Sequence, residues 1–254
     1  MTWLTLARQL PDTICFLAPD LRGRGRSAAL PGPYGMASHV ADLVAVLDHV
    51  GASSAVLLGH SLGAYVDARL AAEHPERVTS LVMLDAGIPL EPPEDVERMV
   101  DTAVATAITR LMIIFPSVDH YVDGWRQHPA FGRAWNDDIE AYARYDMVDD
   151  GHGARCAASL EAVRTDTEEL VRDTSTRTAL ERVHCPVHLL RAERGLFDDI
   201  DDPLITADEL RAFSATHPWV RIDAVQGVNH YTLVMGDGPG APAVAAAVEA
   251  AVGV

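Results

Sequence analysis

The sequence predicts an α/β fold in which a mostly parallel sheet is flanked by helices and interrupted by a helical insertion. Two observations predict it. Short apolar runs alternate with helical segments up to residue 88 and again from residue 181, as expected for parallel strands joined by helical crossovers. Between these stretches, residues 89–180 change to long helical segments. We therefore expect a core of residues 1–88 and 181–254, with residues 89–180 inserted as an all-helical unit.

The first part of the core contains strands and helices in alternation. Continuous apolar runs are typical of strands buried on both faces, and apolar residues three and four apart are typical of helices packed on one side. Gly51 and Pro75 are stop signals for the two longer helices. The predicted elements are, in order, strand 13–21, helix 36–50, strand 54–59, helix 62–74 and strand 78–87.

The alternation resumes after the insertion. Two apolar runs predict strands, and two segments rich in helix formers predict helices. These elements are strand 185–193, helix 206–217, strand 219–227 and a terminal helix from about residue 241. Within the insertion, residues 96–115 and 135–147 have the composition of helices.

Composition and charge narrow the class of function. The 254 residues carry 20 Lys and Arg against 37 Asp and Glu, a net charge of −17, which disfavours nucleic-acid and anionic membrane partners. The three cysteines show no paired spacing, so neither a disulfide framework nor a zinc site is indicated. The N-terminal residues lack the pattern of a signal peptide. We expect a cytoplasmic monomer or homodimer acting on a small molecule, with no metal or organic cofactor.

The segment GHSLG, residues 59–63, places a serine between a predicted strand and a predicted helix. A tight turn of this kind forces its serine into strained torsions, and Gly59 and Gly63 would allow the close approach of neighbouring backbone. Ser61 is therefore a candidate nucleophile, and the Leu62 N–H at the helix start is a candidate oxyanion donor. The alternative is that Ser61 only caps the helix.

A serine nucleophile needs a base and an acid. His230 follows the last predicted strand in QGVNHYTL and should lie at the same sheet edge as Ser61, although it could be an exposed loop histidine. His60 is expected to pack or hydrogen-bond elsewhere. The acid must reach His230 Nδ1. Asp85 follows one strand, and Asp198 or Asp199 follows another, and each could instead be a loop carboxylate.

Several ordered motifs together resemble the α/β-hydrolase fold superfamily. They are PDLRGRGRS at 19–27, GHSLGAY at 59–65, HPERVTSLVMLDAG at 74–87, CPVHLLRAERG at 185–195 and GVNHYTL at 227–233. The resemblance implies that the inserted segment is a cap over the active site that selects the substrate. It also implies that the acid falls about three residues beyond the strand before the histidine, where this chain has Gly195. We favour Asp198 as the acid and keep Asp85 as the alternative.

Aromatic residues of the cap are candidates for the substrate pocket. We select Trp125, Trp135 and Tyr142 as candidate substrate-binding residues, with the alternative that they form the core of the cap.

Members of this superfamily normally begin with three strands that lead into an HG loop, which supplies the second oxyanion donor. This sequence starts two residues before Trp3, and residues 2–10 resemble the helix that follows that loop. We expect Met1 to be an internal methionine and the natural reading frame to extend upstream. If it does not, we expect an unpaired sheet edge near residues 13–21 and half an oxyanion hole. An in-frame stop codon close upstream would refute the extension.

The function we expect is a serine hydrolase that cleaves a small or medium carboxylic ester through a Ser-His-Asp triad and an acyl-enzyme. Hydrolysis of a C–C bond or a lactone uses the same residues on this fold. A different class of answer is a binding or receptor-like protein with little or no turnover.

Overall fold

The computed structural model describes residues 1–89, 97–98, 105, 111–149 and 151–253. The predicted helix at 96–115 lies mostly outside these residues. The strands in the described part are β1 (Ala55–His60), β2 (Val78–Leu84), β3 (Met147–Asp149), β4 (Ala154–Cys156), β5 (Val187–Arg194) and β6 (Val220–Asn229). Strands β1, β2, β5 and β6 form one parallel sheet in that spatial order. The α/β fold class with a mostly parallel sheet is thereby confirmed.

Helices cover both faces of this sheet. They are α1 (Leu4–Ala7), α2 (Met36–His49), α3 (Leu62–Glu73), α4 (Val118–Arg126), α5 (Asp137–Tyr145), α6 (Leu160–Arg172), α7 (Thr174–Arg177), α8 (Ala207–Thr216) and α9 (Gly240–Val252). Several of them begin with a side-chain cap: the side chains of Ser117, Asn136, Ser159 and Thr206 accept hydrogen bonds from the first turns of α4, α5, α6 and α8.

The sheet separates two apolar cores because side chains alternate along each strand. On β2, Leu81 and Met83 point into a core shared with α2, α3 and α8. Val82 and Leu84, which alternate with these two residues along the strand, point into a second core shared with α1 and α9. Burial of β2 on both faces is the physical reason for its continuous apolar run. Because the four strands are parallel, their carboxyl ends all lie at one edge of the sheet.

The inserted segment differs from the all-helical unit that we predicted. Strands β3 and β4 form an antiparallel hairpin, with Met147 opposite Cys156, and Phe115 forms an isolated bridge to Ala154. Two strands of three residues each are too short to produce a recognisable period in the sequence. The boundaries of the insertion at residues 89 and 180 stay a prediction.

Two buried carboxylates attach the insertion to the core. Asp138 of α5 accepts hydrogen bonds from Thr5 Oγ1 at 3.0 Å and Arg8 Nη1 at 2.9 Å. Asp166 of α6 accepts from Arg24 Nη1 at 2.5 Å and from the Gly35 N–H at 3.0 Å. Buried charges are costly unless they are paired, so these contacts hold the insertion in one place on the core.

The predicted strand at residues 13–21 is wrong. The segment contains no strand, although Ile14 and Phe16 pack against the second core. Apolar side chains alone do not make a strand, because the backbone must also pair with a neighbouring strand, and none of the described strands pairs with this segment. Helix α1 is shorter than the predicted helix at 2–10, although a further turn links the Leu10 N–H to Leu6 O.

No helix among the described residues is both long enough and apolar enough to cross a membrane.

Candidate active site

Ser61 occupies a sharp turn between β1 and α3. Strand β1 ends at His60 and α3 begins at Leu62, so one residue joins the two elements. The backbone of Ser61 has φ 55° and ψ −125°, a region that non-glycine residues rarely adopt. Its N–H donates to Leu84 O at the end of β2, which ties the turn to the neighbouring strand. This geometry is that of a nucleophile elbow.

The two glycines that flank this turn have different roles. A Cβ at Gly59 would lie 2.6 Å from the backbone of Ala64, so only glycine permits the close contact between β1 and α3. A Cβ at Gly63 would meet no heavy atom within 4 Å. Our expectation that both glycines serve close backbone approach therefore holds for Gly59 and is wrong for Gly63.

His230 and Asp85 form a buried pair at the same edge of the sheet. His230 directly follows β6, Asp85 directly follows β2, and their side chains are 5% and 0% exposed. His230 Nδ1 lies 2.9 Å from Asp85 Oδ2. Because a carboxylate only accepts hydrogen bonds, Nδ1 carries the proton and Nε2 keeps its lone pair. His230 is thereby held in the tautomer that can take a proton from a nucleophile.

Strand β5 holds Asp85 in place. The Asp85 N–H donates to Leu190 O at 2.8 Å, and Asp85 Oδ1 accepts from the Ala192 N–H at 3.0 Å. Like Ser61, Asp85 has a positive φ, here 50°. Both carboxylate oxygens have a defined partner, so the orientation of the side chain toward His230 is fixed by the sheet.

Burial changes the protonation of this pair in two opposite directions. It raises the pKa of Asp85 to about 6, an effect that the Ala192 N–H partly opposes. It lowers the pKa of His230 to about 4, because an imidazolium loses its hydration there. Above about pH 6, the carboxylate is therefore ionised and the imidazole is neutral.

His60 supports His230 from the other side. His60 Nε2 lies 2.9 Å from the His230 carbonyl oxygen, so Nε2–H donates this bond. The two rings lie 4.3 Å apart between centroids. Burial and the neighbouring His230 lower the pKa of His60 to about 3, so His60 stays neutral. Because His60 directly precedes Ser61, this contact places His230 beside the serine turn.

Asp198, which we favoured as the acid, does not pair with His230. Its Oδ1 accepts from Asn229 Nδ2 at 3.1 Å, and its Oδ2 lies 3.5 Å from Arg194 Nη1. The Asp198 carboxylate therefore contacts Asn229, the residue before His230, and not His230 itself. Asp199, the other loop candidate, accepts from the Asp201 N–H at 2.9 Å. Of the carboxylates that we considered, the structure brings Asp85, the alternative, into contact with His230.

The candidate substrate-binding aromatics are part of a larger group of packed rings. Trp125 stacks on Phe131 with centroids 4.8 Å apart and contacts Tyr142 at 5.5 Å. Trp135 meets the Phe131 ring edge-on at 6.1 Å. All three candidates are partly buried against the second core. Trp125, Trp135 and Tyr142 therefore belong to an aromatic cluster around Phe131 and Trp125, and their role in substrate binding stays a prediction.

The aromatic residue that links this group to the site is Tyr231, which the sequence reasoning missed. Its ring lies 5.6 Å from His230 and 5.3 Å from Phe131. His128 continues the group and stacks on Phe197, whose side chain is 64% exposed. The position of Tyr231 directly after His230 was the available signal. The rings of Tyr231, His128 and Phe197 therefore form an aromatic surface that runs from His230 to the solvent.

Within the ranges that the structure describes, no group of three or more His, Cys, Asp or Glu residues could hold a metal ion.

Comparison with known proteins gives a match to one family model and matches to individual proteins. A family model described as the alpha/beta hydrolase fold matches residues 2–107. The lipase LipV of Mycobacterium tuberculosis is 39% identical over 104 residues, which cover 41% of this chain and 39% of that protein. The chain therefore matches less than half the length of this relative. The 2-(acetamidomethylene)succinate hydrolase of Mesorhizobium japonicum is 26% identical over 229 residues, 88% of this chain and 74% of that protein.

Solved structures share the fold at lower sequence identity. The crystal structure of an E-2-(acetamidomethylene)succinate hydrolase superposes with a TM-score of 0.70 and 22% identity, over 92% of this chain and 80% of that chain. A hypothetical protein from Pseudomonas aeruginosa PAO1 superposes with a TM-score of 0.75 and 24% identity, over all of this chain and 87% of that chain. With its parallel sheet and the serine turn between β1 and α3, the chain has the α/β-hydrolase fold, and the model of that family matches its first part.

Proposed function

We propose that the protein is a serine hydrolase that cleaves a small or medium carboxylic ester. The observation that carries this proposal is the 2.9 Å contact between His230 Nδ1 and Asp85 Oδ2, at the sheet edge where Ser61 adopts a strained turn. A histidine fixed in this tautomer beside a strained serine is the arrangement that acyl transfer requires. The proposed catalytic residues are Ser61 and His230, oriented by Asp85.

In the proposed mechanism, Ser61 Oγ attacks the ester carbonyl and His230 Nε2 takes its proton. The tetrahedral oxyanion forms at the start of α3, where the Leu62 N–H and the positive end of the helix stabilise it. His230 then gives its proton to the alcohol, which leaves as the C–O bond breaks. Water, deprotonated by His230, attacks the acyl-enzyme, and the acid and free Ser61 are released.

Asp85 stabilises the imidazolium that forms in each step. In water this would contribute little, but here both side chains are buried and the charge that develops on His230 lies 2.9 Å from the carboxylate. The lowered pKa of His230 keeps it neutral before the reaction, and the pair is therefore a base at neutral pH.

The aromatic surface beside His230 supports an uncharged, apolar acyl group. Tyr231 is the residue of this surface that contacts His230, and the buried rings of Phe131 and Trp125 lie behind it. Trp135 and Tyr142 would then act on the substrate indirectly, by holding Phe131 and Trp125 in place. A small-molecule ester is the partner that this surface fits.

The test is covalent labelling with a fluorophosphonate, which reacts with activated serines. We expect the purified protein to be labelled stoichiometrically and Ser61→Ala to be unlabelled. Ser214→Ala is the matched control, since Ser214 is exposed on α8, and it should be labelled like the wild type. A folded wild-type protein that takes up no label would refute the proposal and would favour a binding protein without turnover.

A second candidate is hydrolysis of 2-(acetamidomethylene)succinate or a similar compound, the substrate that names the Mesorhizobium japonicum relative. The long alignment with the 2-(acetamidomethylene)succinate hydrolase favours it, since it spans 88% of this chain. Turnover of 4-nitrophenyl butyrate and of 2-(acetamidomethylene)succinate should be compared directly. The first proposal predicts the higher kcat/KM on the ester, and the reverse order would replace it with the second.

A further inference from the structure

We propose that Asn229 is a positioning residue that sets the orientation of His230, an inference that rests on the proposed function. Asn229 is the last residue of β6 and directly precedes His230, and it is 1% exposed. Its Oδ1 accepts from the Tyr231 N–H at 3.0 Å and from the Thr232 N–H at 2.9 Å. These two bonds close the turn that carries His230 on its C-terminal side.

The other half of the Asn229 amide holds two separate parts of the molecule. Nδ2 donates to Ala130 O at 2.7 Å, in the insertion, and to Asp198 Oδ1 at 3.1 Å, in the loop after β5. An amide has two donor hydrogens and an acceptor oxygen with two lone pairs, so every hydrogen-bonding position is filled. The orientation of the amide is therefore unambiguous, and its two ends do different work.

Asp198 is held for this role. It has a positive φ of 64°, and Arg194 lies near both its carboxylate and its carbonyl oxygen. Ser61, Asp85 and Asp198 are the non-glycine residues with positive φ in the part of the chain that the structure describes. Strained backbone persists where the surroundings enforce it, commonly at functional sites. The third strained residue acts on His230 through Asn229.

The turn of His230 is thus fixed from three directions. Asp85 holds the ring, His60 holds the carbonyl oxygen, and Asn229 connects the turn to the insertion and the loop. A reacting group displaced by about 1 Å can lose about 100-fold in rate. Release of the Nδ2 contacts should therefore lower kcat, whereas KM should change little because Asn229 does not line the aromatic surface.

The chain offers substitutions that separate the two ends of the amide. Asn229→Asp keeps the oxygen that accepts from Tyr231 and Thr232, but removes both donor hydrogens and places a carboxylate against Asp198. Asp198→Ala removes the carboxylate oxygen that accepts from Asn229 Nδ2. Asp198→Asn keeps an acceptor oxygen for Asn229 Nδ2 and is the conservative variant.

We expect kcat for 4-nitrophenyl butyrate to fall about 10- to 100-fold in Asn229→Asp, with KM within threefold of wild type. Asp198→Ala should show a smaller loss in kcat, and Asp198→Asn should recover most of it. Asn136→Asp is the matched control. Asn136 accepts at Oδ1 from two N–H groups of α5 and donates from Nδ2 to Asp237, the same pattern away from His230. It should lose stability but keep kcat.

The 1H resonance of His230 Nδ1–H gives a readout that does not require turnover. It should shift or broaden in Asn229→Asp and stay in place in Asn136→Asp. Unchanged kcat and an unchanged resonance in a folded Asn229→Asp protein would overturn the inference, as would equal losses in Asp198→Asn and Asp198→Ala. An unlabelled, inactive wild type would instead refute the proposed function, and the resonance would still test the positioning role.

Discussion

Replacing Asp85 with asparagine removes one carboxylate oxygen from a site where both oxygens are used. The change conserves shape, so the fold should survive. One oxygen remains, and the Ala192 N–H at 3.0 Å is the partner it must serve because that N–H belongs to a buried strand. The new amide NH2 then faces His230 Nδ1 at about the 2.9 Å of the present contact. Two donors cannot face each other, so His230 changes to the tautomer with hydrogen on Nε2.

That tautomer cannot accept the proton of Ser61. The expected loss in kcat is about 10⁴-fold, the size found when a triad aspartate is replaced by asparagine. At 1.36 kcal/mol for each factor of ten, this corresponds to about 5 kcal/mol of transition-state stabilisation. A carboxylate that only supported the fold would lower the melting temperature and leave kcat within about tenfold.

The assay is steady-state hydrolysis of 4-nitrophenyl butyrate, with the melting temperature measured on the same samples. Asp198→Asn tests the rival acid and should lose less than about tenfold, because an asparagine oxygen can still accept from Asn229 Nδ2. Asp199→Asn, on the exposed part of the same loop, is the control and should match wild type. A 10⁴-fold loss in Asp198→Asn with a mild effect in Asp85→Asn would refute the reasoning.

Three further predictions concern pH, the serine turn and a buried acid. The pKa of Asp85 is raised to about 6 and that of His230 is lowered to about 4. We therefore expect kcat/KM to be level above about pH 6 and to fall below that pH as the pair gains a proton. A level profile down to pH 4 would contradict this expectation. Gly59→Ala should lower the melting temperature strongly because its Cβ would meet backbone at 2.6 Å, whereas Gly63→Ala should leave it unchanged or raise it because that Cβ meets nothing within 4 Å and alanine favours a helix; equal losses in the two variants would contradict this. Burial raises the pKa of Asp67 in α3 to about 7, above its ordinary value of 3.8. Because the folded state holds this proton more tightly than the unfolded state, stability should decrease as the pH rises from about 4 through 7. Asp67→Asn should therefore raise the melting temperature at pH 8 and not at pH 4, and a loss at pH 8 would show that the carboxylate has a favourable partner.

The sequence was most informative where one local pattern has one structural outcome. Ser61 follows an apolar run and precedes a helix, and the tight turn between these elements was expected from that order alone. Strands β2 and β5 are buried on both faces, and their apolar runs predicted them to within three residues at either end. In these cases the neighbouring residues in the chain decide the structure.

The choice between Asp85 and Asp198 could not be made in this way. Both carboxylates follow parallel strands and reach the same edge of the sheet, so the order of elements does not separate them. The difference lies in contacts between distant residues: β5 supplies an N–H to one carboxylate, and Asn229 captures the other. The same limit applies to residues 13–21, whose apolar side chains pack on the core without a partner strand.

Residues that act through others left little trace in the sequence. Asn229 stands directly before His230 and could have been noticed there, but its partners Ala130 and Asp198 are 99 and 31 residues away. The hairpin of β3 and β4 was missed because each strand has three residues.

In the proposed function, Ser61 forms an acyl-enzyme with the help of His230 and Asp85. The most direct test of this step is to quench the reaction with 4-nitrophenyl butyrate within the first turnover and locate the acyl group by peptide mass spectrometry. We predict a butyryl group on the peptide that contains Ser61 in the wild type, formed about 10⁴-fold more slowly in Asp85→Asn. A butyryl group on another residue, or equal rates in the two proteins, would contradict the account.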